Sequence, residues 1–175
     1  MPSEIADYAL IGDCETAALV GRDGSIDWLC LPRFDSPACF AALLGSAEHG
    51  RWQLKPVSRS RTVRRYRPHT LILETAFQTT EGKATVIDFM PLRETNPRII
   101  RIVRGDRGCV CMQMDLTIRF DYGLTIPWVT RRDDGSLMAV AGPHQLILRS
   151  SVPLHGRDLH TVSEFAVTAG ENVQF

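Results

Sequence analysis

The stretch Val20-Gly-Arg-Asp-Gly-Ser-Ile26 indicates the fold class of this 175-residue chain. Its centre, Asp23-Gly24, lies between two apolar runs. An Asp-Gly pair tolerates the positive φ angles that a two-residue hairpin turn requires. The stretch therefore predicts two antiparallel strands that meet at this turn.

The same alternation of apolar runs and turn residues recurs along the rest of the chain. Three further hairpins are predicted. Their strands are 70–77 and 83–90 with a turn at Glu81-Gly82, 98–104 and 108–116 with a turn at residues 105–108, and 128–130 and 137–140 with a turn at Asp133-Asp134-Gly135. Residues 145–150 and 162–167 continue the pattern. About a dozen short strands with regularly spaced turn signals are typical of an all-β protein, here a large antiparallel β-sandwich of the supersandwich type.

One segment favours a helix instead. Residues 38–45 are mostly apolar, Ser36 suits the N-cap, Pro37 suits the first helical position and Gly45 suits the end. The sequence therefore predicts one short helix near 37–45.

Composition and charge exclude several classes of protein. Hydrophobic residues make up 44% of the chain, and the 20 basic residues balance the 20 acidic ones, which argues against disorder, nucleic-acid binding and membrane binding. The N-terminus has no apolar stretch of signal-peptide type, so a cytoplasmic location is expected.

Five cysteines, an odd number, predict reduced thiols, and the histidine spacing predicts no metal site. No cofactor is expected in this segment.

The charges are unevenly distributed although they cancel. Residues 1–50 carry a net charge of −6 and residues 51–107 a net charge of +8. Residues 51–67 hold seven basic residues and no acidic one. This basic segment is either a phosphate or polyanion site, or a set of arginines that face solvent or pair with the acidic first segment.

Five motifs of the sequence resemble those of a known family. The motifs are Ile11-Gly-Asp-Cys-Glu-Thr-Ala-Ala-Leu-Val20, Gly24-Ser-Ile-Asp-Trp-Leu-Cys-Leu-Pro-Arg-Phe-Asp-Ser-Pro37, Gly50-Arg-Trp-Gln-Leu-Lys-Pro56, Asp88-Phe-Met-Pro91 and Arg119-Phe-Asp-Tyr-Gly123. Over essentially its whole length, the chain resembles the N-terminal domain of bacterial family-15 glycoside hydrolases, the trehalase and glucoamylase group.

The resemblance implies a β-sandwich that packs on a C-terminal helical (α/α)6 barrel of the same polypeptide. In that family the barrel supplies two glutamates that hydrolyse an α-glucosidic bond with inversion, and this sequence has no candidate for the barrel. We therefore predict a single non-catalytic domain over residues 1–175. It would help to complete the active site for an α-glucoside or trehalose, and none of its residues is assigned as catalytic.

The end of the chain adds an expectation. Residues 170–175 lie inside a predicted strand, which predicts an artificial C-terminal boundary before the catalytic barrel. An uncovered interface and an unpaired strand edge would promote self-association of the isolated domain.

Two alternative functions stay open: a self-sufficient carbohydrate-binding module, and a purely structural domain that aids folding of the barrel.

Two pairs of acidic residues are candidates for a catalytic pair. Asp27 and Asp35 flank an aromatic residue and an arginine, and Glu74 and Asp88 could face each other across a hairpin. A buried pair of carboxyl groups would suit acid–base catalysis. With 20 acidic residues in the chain, however, such spacings arise by chance, so independent glycosidase activity is not expected.

The segment from Asp27 to Phe40 carries the substrate-binding hypothesis. Trp28 and Phe34 offer aromatic faces for a sugar ring, and Arg33 and Asp35 offer hydrogen bonds to its hydroxyl groups. The alternative is an interface or self-packing role in which Arg33 pairs with Asp35 or with backbone carbonyls.

Three residues are predicted to lie at the interface with the catalytic domain: Arg119, Asp121 and Trp128. Arg119 is expected to satisfy Asp121 or neighbouring carbonyls. Trp52 and Trp128 are interpreted as core or interface aromatics rather than as an exposed sugar platform.

Overall fold

The computed structural model describes residues 4–175 and confirms the all-β class. Its strands, in chain order, are β1 (Tyr8–Gly12), β2 (Ala17–Gly21), β3 (Ser25–Cys30), β4 (Ala38–Phe40), β5 (Arg51–Pro56), β6 (Arg61–Tyr66), β7 (Leu73–Gln78), β8 (Gly82–Phe89), β9 (Ile100–Thr117), β10 (Trp128–Arg131), β11 (Leu137–Ala141), β12 (His144–Leu148), β13 (His155–Arg157), β14 (His160–Thr168) and β15 (Asn172–Gln174). Short 3-10 turns cover Ile5–Asp7, Ala42–Leu44, Ala47–His49 and Asp121–Gly123.

Twelve of these strands form one continuous antiparallel sheet. Its main path runs β1-β2-β3-β5-β9-β8-β7-β6, with β4 beside β3, the β13–β14 hairpin beside β9, and β15 also beside β9. The remaining strands form a separate sheet in the order β10-β11-β12. The hairpins predicted at Asp23-Gly24, Glu81-Gly82 and Asp133-Asp134-Gly135 are confirmed.

The hairpin predicted at residues 105–108 is wrong, because β9 runs through these residues as one 18-residue strand. Its first half pairs with β8 and β15, and its second half pairs with β5 and β14. The register with β8 shifts between Arg107 and Gly105. A Cβ atom on Gly105 would lie 2.0 Å from the Thr168 carbonyl oxygen, so this glycine permits close backbone approach rather than a chain reversal.

The helix predicted near 37–45 is also corrected. Residues Ala38–Phe40 form strand β4 against β3, and only the 3-10 turn at Ala42–Leu44 is helical. The Ser36 hydroxyl accepts a hydrogen bond from the Arg33 amide and caps no helix. Pairing with β3 buries Ala38 and Phe40 completely or nearly so, which outweighs the local helix preference.

The two ends of the sheet path meet through side chains of β6. The Tyr66 hydroxyl accepts a hydrogen bond from the Leu10 amide and donates one to the Leu10 carbonyl, each at 2.8 Å. Arg64 donates to the carbonyls of Asp7 and Val20. The basic segment thus closes the curled sheet against the first segment of the chain through hydrogen bonds to backbone atoms, and not through the expected pairing with its acidic side chains. Arg65 and Arg67 instead bind Glu74 of β7.

A buried ion pair lies between the two halves of the sheet. Arg101 on β9 binds Asp88 on β8 at 2.8 Å, and both side chains are fully buried. The Arg101 guanidinium also donates to the carbonyls of Trp52 and Gly24 and lies over the Trp52 ring. Trp52 is therefore a core aromatic, as predicted.

The predicted meeting of Glu74 and Asp88 is wrong. In the β7–β8 register Glu74 lies opposite Ile87, whereas Asp88 lies opposite Leu73. Because directly opposed residues share a face and successive residues alternate, the two carboxylates lie on opposite faces of the sheet.

A second ion pair fixes the β1–β2 turn. The Asp13 carboxylate accepts hydrogen bonds from the amides of Glu15 and Thr16 and binds Arg93 at 2.8 Å. Burial alone would raise the pKa of Asp13, but the Thr16 amide and the Arg93 guanidinium outweigh it and hold this pKa below its ordinary value.

This lowered pKa predicts acid sensitivity of the fold. Because the folded pKa of Asp13 lies below the unfolded one, its stabilisation is complete above the unfolded pKa of about 3.9 and is lost as pH falls through the folded pKa. We expect Asp13→Asn to reduce the fall in Tm between pH 6 and pH 2.5, measured by circular dichroism. An unchanged pH profile would contradict this assignment, and Asp35→Asn, at an exposed carboxylate, is the control.

Candidate functional site

An open cleft lies between the small sheet and the β13–β14 hairpin. Trp128, Val129 and Arg131 of β10 form one wall, and residues 156–161 form the other. Ile118 and Arg119 lie at its base, and its volume is about 480 Å³. The cleft therefore brings together two of the three predicted interface residues, Arg119 and Trp128.

Arg119 is held by backbone carbonyls. Its guanidinium donates to the carbonyl of Ile118 at 2.8 Å and to that of Leu159 at 3.5 Å, and Glu48 lies 3.9 Å away. Of the two partners predicted for Arg119, the structure thus supports the carbonyls and not Asp121. The buried guanidinium fixes the β13–β14 turn against the end of β9.

Asp121 is separate from these cleft contacts. Its carboxylate accepts a hydrogen bond from the Thr125 hydroxyl at 2.8 Å and lies 3.8 Å from His144. Asp121 and Tyr122 both have positive φ angles, of 52° and 60°. These contacts place Asp121 in a local turn, so its predicted interface role receives no support from them.

His160 is a cleft residue that the sequence did not single out. Its Nδ1 atom lies 2.8 Å from the Asp115 carboxylate and 3.0 Å from the Thr117 hydroxyl, and its Nε2 atom lies 3.5 Å from Glu48. His160 begins β14, and its partners come from β9 and from the 3-10 turn before β5. A lone histidine 45 residues from its partner carboxylate gives no local sequence signal.

The cleft rim is strongly apolar and exposed. Trp128 is 85% exposed and Leu159 is 67% exposed. The core interpretation of Trp128 is therefore wrong, whereas its predicted interface role stays a prediction. Leu159 has a φ of 64°, a left-handed conformation that is unfavourable for a bulky side chain. A strained, exposed leucine and an exposed tryptophan that line the same cleft are unusual for a surface that only faces water.

The predicted substrate-binding loop lies elsewhere on the surface. Arg33 and Asp35 are exposed and pair with each other at 3.2 Å, as the self-packing alternative expected. Phe34 is 61% exposed, and its amide donates to the Glu15 carbonyl. The Leu31–Pro32 peptide bond is cis. The loop thus presents an uncovered aromatic ring beside an ion pair.

Trp28 does not join this exposed loop in the contacts observed. Its half-buried ring packs against a small cluster of Cys30, Ala38 and Ala41 and lies 6.2 Å from the Tyr122 ring. The structure therefore places Trp28 on the β3–β4 face. No contact observed there supports its predicted role in sugar binding.

The proposed Asp27–Asp35 pair does not form. Asp27 is buried, where it accepts hydrogen bonds from the hydroxyls of Tyr8 and Ser25. Asp35 is exposed and bound to Arg33. The two residues therefore do not form the buried pair of carboxyl groups that would suit acid–base catalysis.

The remaining chemistry is structural. Cys30 and Cys39 are buried free thiols, and burial raises the pKa of the Cys39 thiol. Cys14, Cys109 and Cys111 are exposed free thiols. Between residues 4 and 175 no group of three or more histidine, cysteine, aspartate or glutamate side chains is arranged so that it could hold a metal ion. No helix in the same range has the length and apolarity needed to cross a membrane.

The fold and the cleft define an all-β domain with an uncovered apolar and basic surface. The family described as trehalase-like, N-terminal, matches residues 1–156, and the chain belongs to that family.

Several trehalases are similar to this chain. The trehalase of Mycolicibacterium smegmatis is 37% identical over 138 residues, covering 67% of this chain and 20% of that protein. Trehalase 1 of Sulfolobus acidocaldarius is 38% identical over 125 residues, covering 71% and 21%. No solved structure matches the chain. The chain thus spans about a fifth of the length of these curated relatives.

Proposed function

We propose that this chain is the non-catalytic N-terminal domain of a trehalase-type glycoside hydrolase. In this proposal it packs on a C-terminal catalytic domain of the same polypeptide, which hydrolyses trehalose or a related α-glucoside with inversion. The observation that carries the proposal is the family match over residues 1–156 together with relatives, named trehalases, that are about five times as long. The exposed apolar rim of the cleft supports a covered interface in the complete protein.

A comparison of two proteins tests the proposal. The chain alone is expected to hydrolyse no trehalose, and the complete reading frame that contains it is expected to hydrolyse trehalose. Deleting residues 1–175 from the complete protein should abolish or strongly reduce its activity or its soluble yield. Hydrolysis by residues 1–175 alone, lost on replacing one of their own acids, would overturn the proposal.

We further propose that the loop carrying Arg33, Phe34 and Asp35 contributes to the sugar pocket of the complete enzyme. The support is physical: an exposed aromatic ring stacks on the apolar face of a pyranose, and a charged pair binds its hydroxyl groups. Phe34 makes a backbone contact to Glu15 but leaves most of its ring uncovered.

In the complete enzyme, Phe34→Ala is expected to lower kcat/KM for trehalose at least about tenfold, or about 1.4 kcal/mol of transition-state stabilisation, without lowering Tm. Val63→Ala, at an exposed apolar residue of β6, is the matched control and should leave kcat/KM unchanged. Unchanged kinetics with a lowered Tm in Phe34→Ala would favour the purely structural role.

A carbohydrate-binding module is the second candidate, because Trp128 presents an exposed ring next to the polar groups of the cleft. Such a module binds trehalose or maltooligosaccharides without a partner, with a Kd between micromolar and millimolar. Calorimetric titration of the chain with these sugars distinguishes this function from the first one.

A further inference from the structure

The cleft is bordered by the free edges of two strands and by one face of the small sheet, since Leu137 of the middle strand β11 also lines it. Consecutive residues line each wall, with Trp128 and Val129 on one side and Gly156 and Arg157 on the other. Successive residues of a strand point to opposite faces, so a cavity that touches both members of each pair reaches the strand edge. Among residues 4–175, β10 pairs only with β11, and β13 pairs only with β14.

Edges of this kind bind other strands. The outer edge of β10 presents backbone amides and carbonyls next to exposed apolar side chains, since Trp128 and Val129 are both exposed. Natural proteins cover or disrupt such edges because they recruit other chains. An extended segment that adds to β10 would satisfy these backbone groups, and alternate side chains would enter the apolar cleft.

The charges around the cleft indicate the chemistry of that segment. Arg131 and Arg157 lie on opposite walls. Arg131 donates only to the carbonyls of Gly135 and Leu154, and among the described residues neither guanidinium has a carboxylate within 4.0 Å. Asp158 is the acidic residue of the lining itself. Two arginines without carboxylate partners attract an acidic ligand.

His160 does not supply a competing site for anions. Its ring already lies between the Asp115 and Glu48 carboxylates, and Arg119 is bound to backbone carbonyls. The free positive charge therefore lies at the walls of the cleft, beside the strand edges, rather than at its base. This arrangement favours an extended acidic peptide over a sugar, which needs polar partners around its whole ring.

We propose that the cleft between β10 and β13 binds an extended, acidic and apolar segment of the catalytic portion of the same polypeptide, which adds to the free edge of β10. The inference rests on the proposed function, since the relatives carry about four fifths of their length outside the matched region. Leu159, strained and exposed at the rim, then packs on the apolar side chains of that segment.

Hydrogen exchange of the complete polypeptide, measured by mass spectrometry, tests the proposal. Amides in 128–131 and 155–157 are expected to exchange at least about tenfold more slowly in the wild type than in the double variant Arg131→Glu/Arg157→Glu. Arg59→Glu, at an exposed arginine that does not line the cleft, is the control and should keep the protection. Peptides from the buried centre of β9 report whether the double variant is folded, and Arg131→Gln/Arg157→Gln replaces it if it is not.

The outcomes separate the two proposals. Fast exchange at both edges in a wild-type protein that hydrolyses trehalose overturns the inference and leaves the proposed function intact. If these amides stay protected from exchange in the charge-reversal variant, the proposal that the partner segment is acidic is overturned. If they are protected only after trehalose is added, the cleft is a sugar site instead. A reading frame that encodes no catalytic portion overturns both proposals.

Discussion

Replacing Arg101 with methionine is expected to lower the free energy of unfolding by about 3–5 kcal/mol. The substitution keeps an apolar chain of similar length but leaves the Asp88 carboxylate buried without a counter-charge. The carbonyls of Trp52 and Gly24 also lose their guanidinium donor. Because a domain is typically stable by only about 5–15 kcal/mol, this loss removes a large part of the total.

Urea unfolding measures the effect, with Arg104→Met as the control. Arg104 lies on the same strand and binds Asp106, but its side chain is partly exposed, so its replacement should cost less than about 1 kcal/mol. The double variant Asp88→Asn/Arg101→Met should recover at least about 1 kcal/mol, since the unpaired buried charge is gone. Equal losses for Arg101→Met and Arg104→Met would contradict the central role of this ion pair.

Gly24→Ala is expected to lower the free energy of unfolding by about 3–4 kcal/mol or more. Gly24 has a φ of 80°, and an added Cβ would lie 2.0 Å from the Leu54 carbonyl oxygen. Left-handed strain contributes about 1–2 kcal/mol. The remainder comes from displacing the β5 backbone, which also carries the hydrogen bond from the Leu54 amide to the Gly24 carbonyl.

The second Asp-Gly turn provides a matched control. Gly135 has a φ of 79°, but a Cβ there would meet no atom within 4 Å. Gly135→Ala should therefore show the left-handed strain alone, about 1–2 kcal/mol. Urea unfolding of both variants measures the difference, and similar losses at the two positions would rule out the close approach to Leu54 as the cause.

Much of the strand content followed from local patterns. The turns at Asp23-Gly24, Glu81-Gly82 and Asp134-Gly135 were predictable because glycine and aspartate tolerate turn geometry whatever surrounds them. The same logic misassigned Gly105, whose role is close contact with Thr168 across the sheet. It also misassigned Ala38–Phe40, where pairing with β3 overrides a short helix signal.

The candidate site was predictable only in part. Arg119 was predictable from a family motif and Trp128 from its aromatic side chain, but His160 was not, because its partner Asp115 lies 45 residues away. The Arg33–Asp35 ion pair was predictable as the alternative to sugar binding, because the two residues are close neighbours in the sequence.

The sequence by itself determined the all-β class, most of the hairpins and, through its motifs, the family, since these depend on neighbouring residues and their turn preferences. Only the tertiary structure decided that β9 crosses both halves of the sheet, that Arg101 and Asp88 pair in the core, and that the edges of β10 and β13 border one cleft. These features depend on contacts between residues far apart in the chain, whose register is set by the packing of the whole sheet.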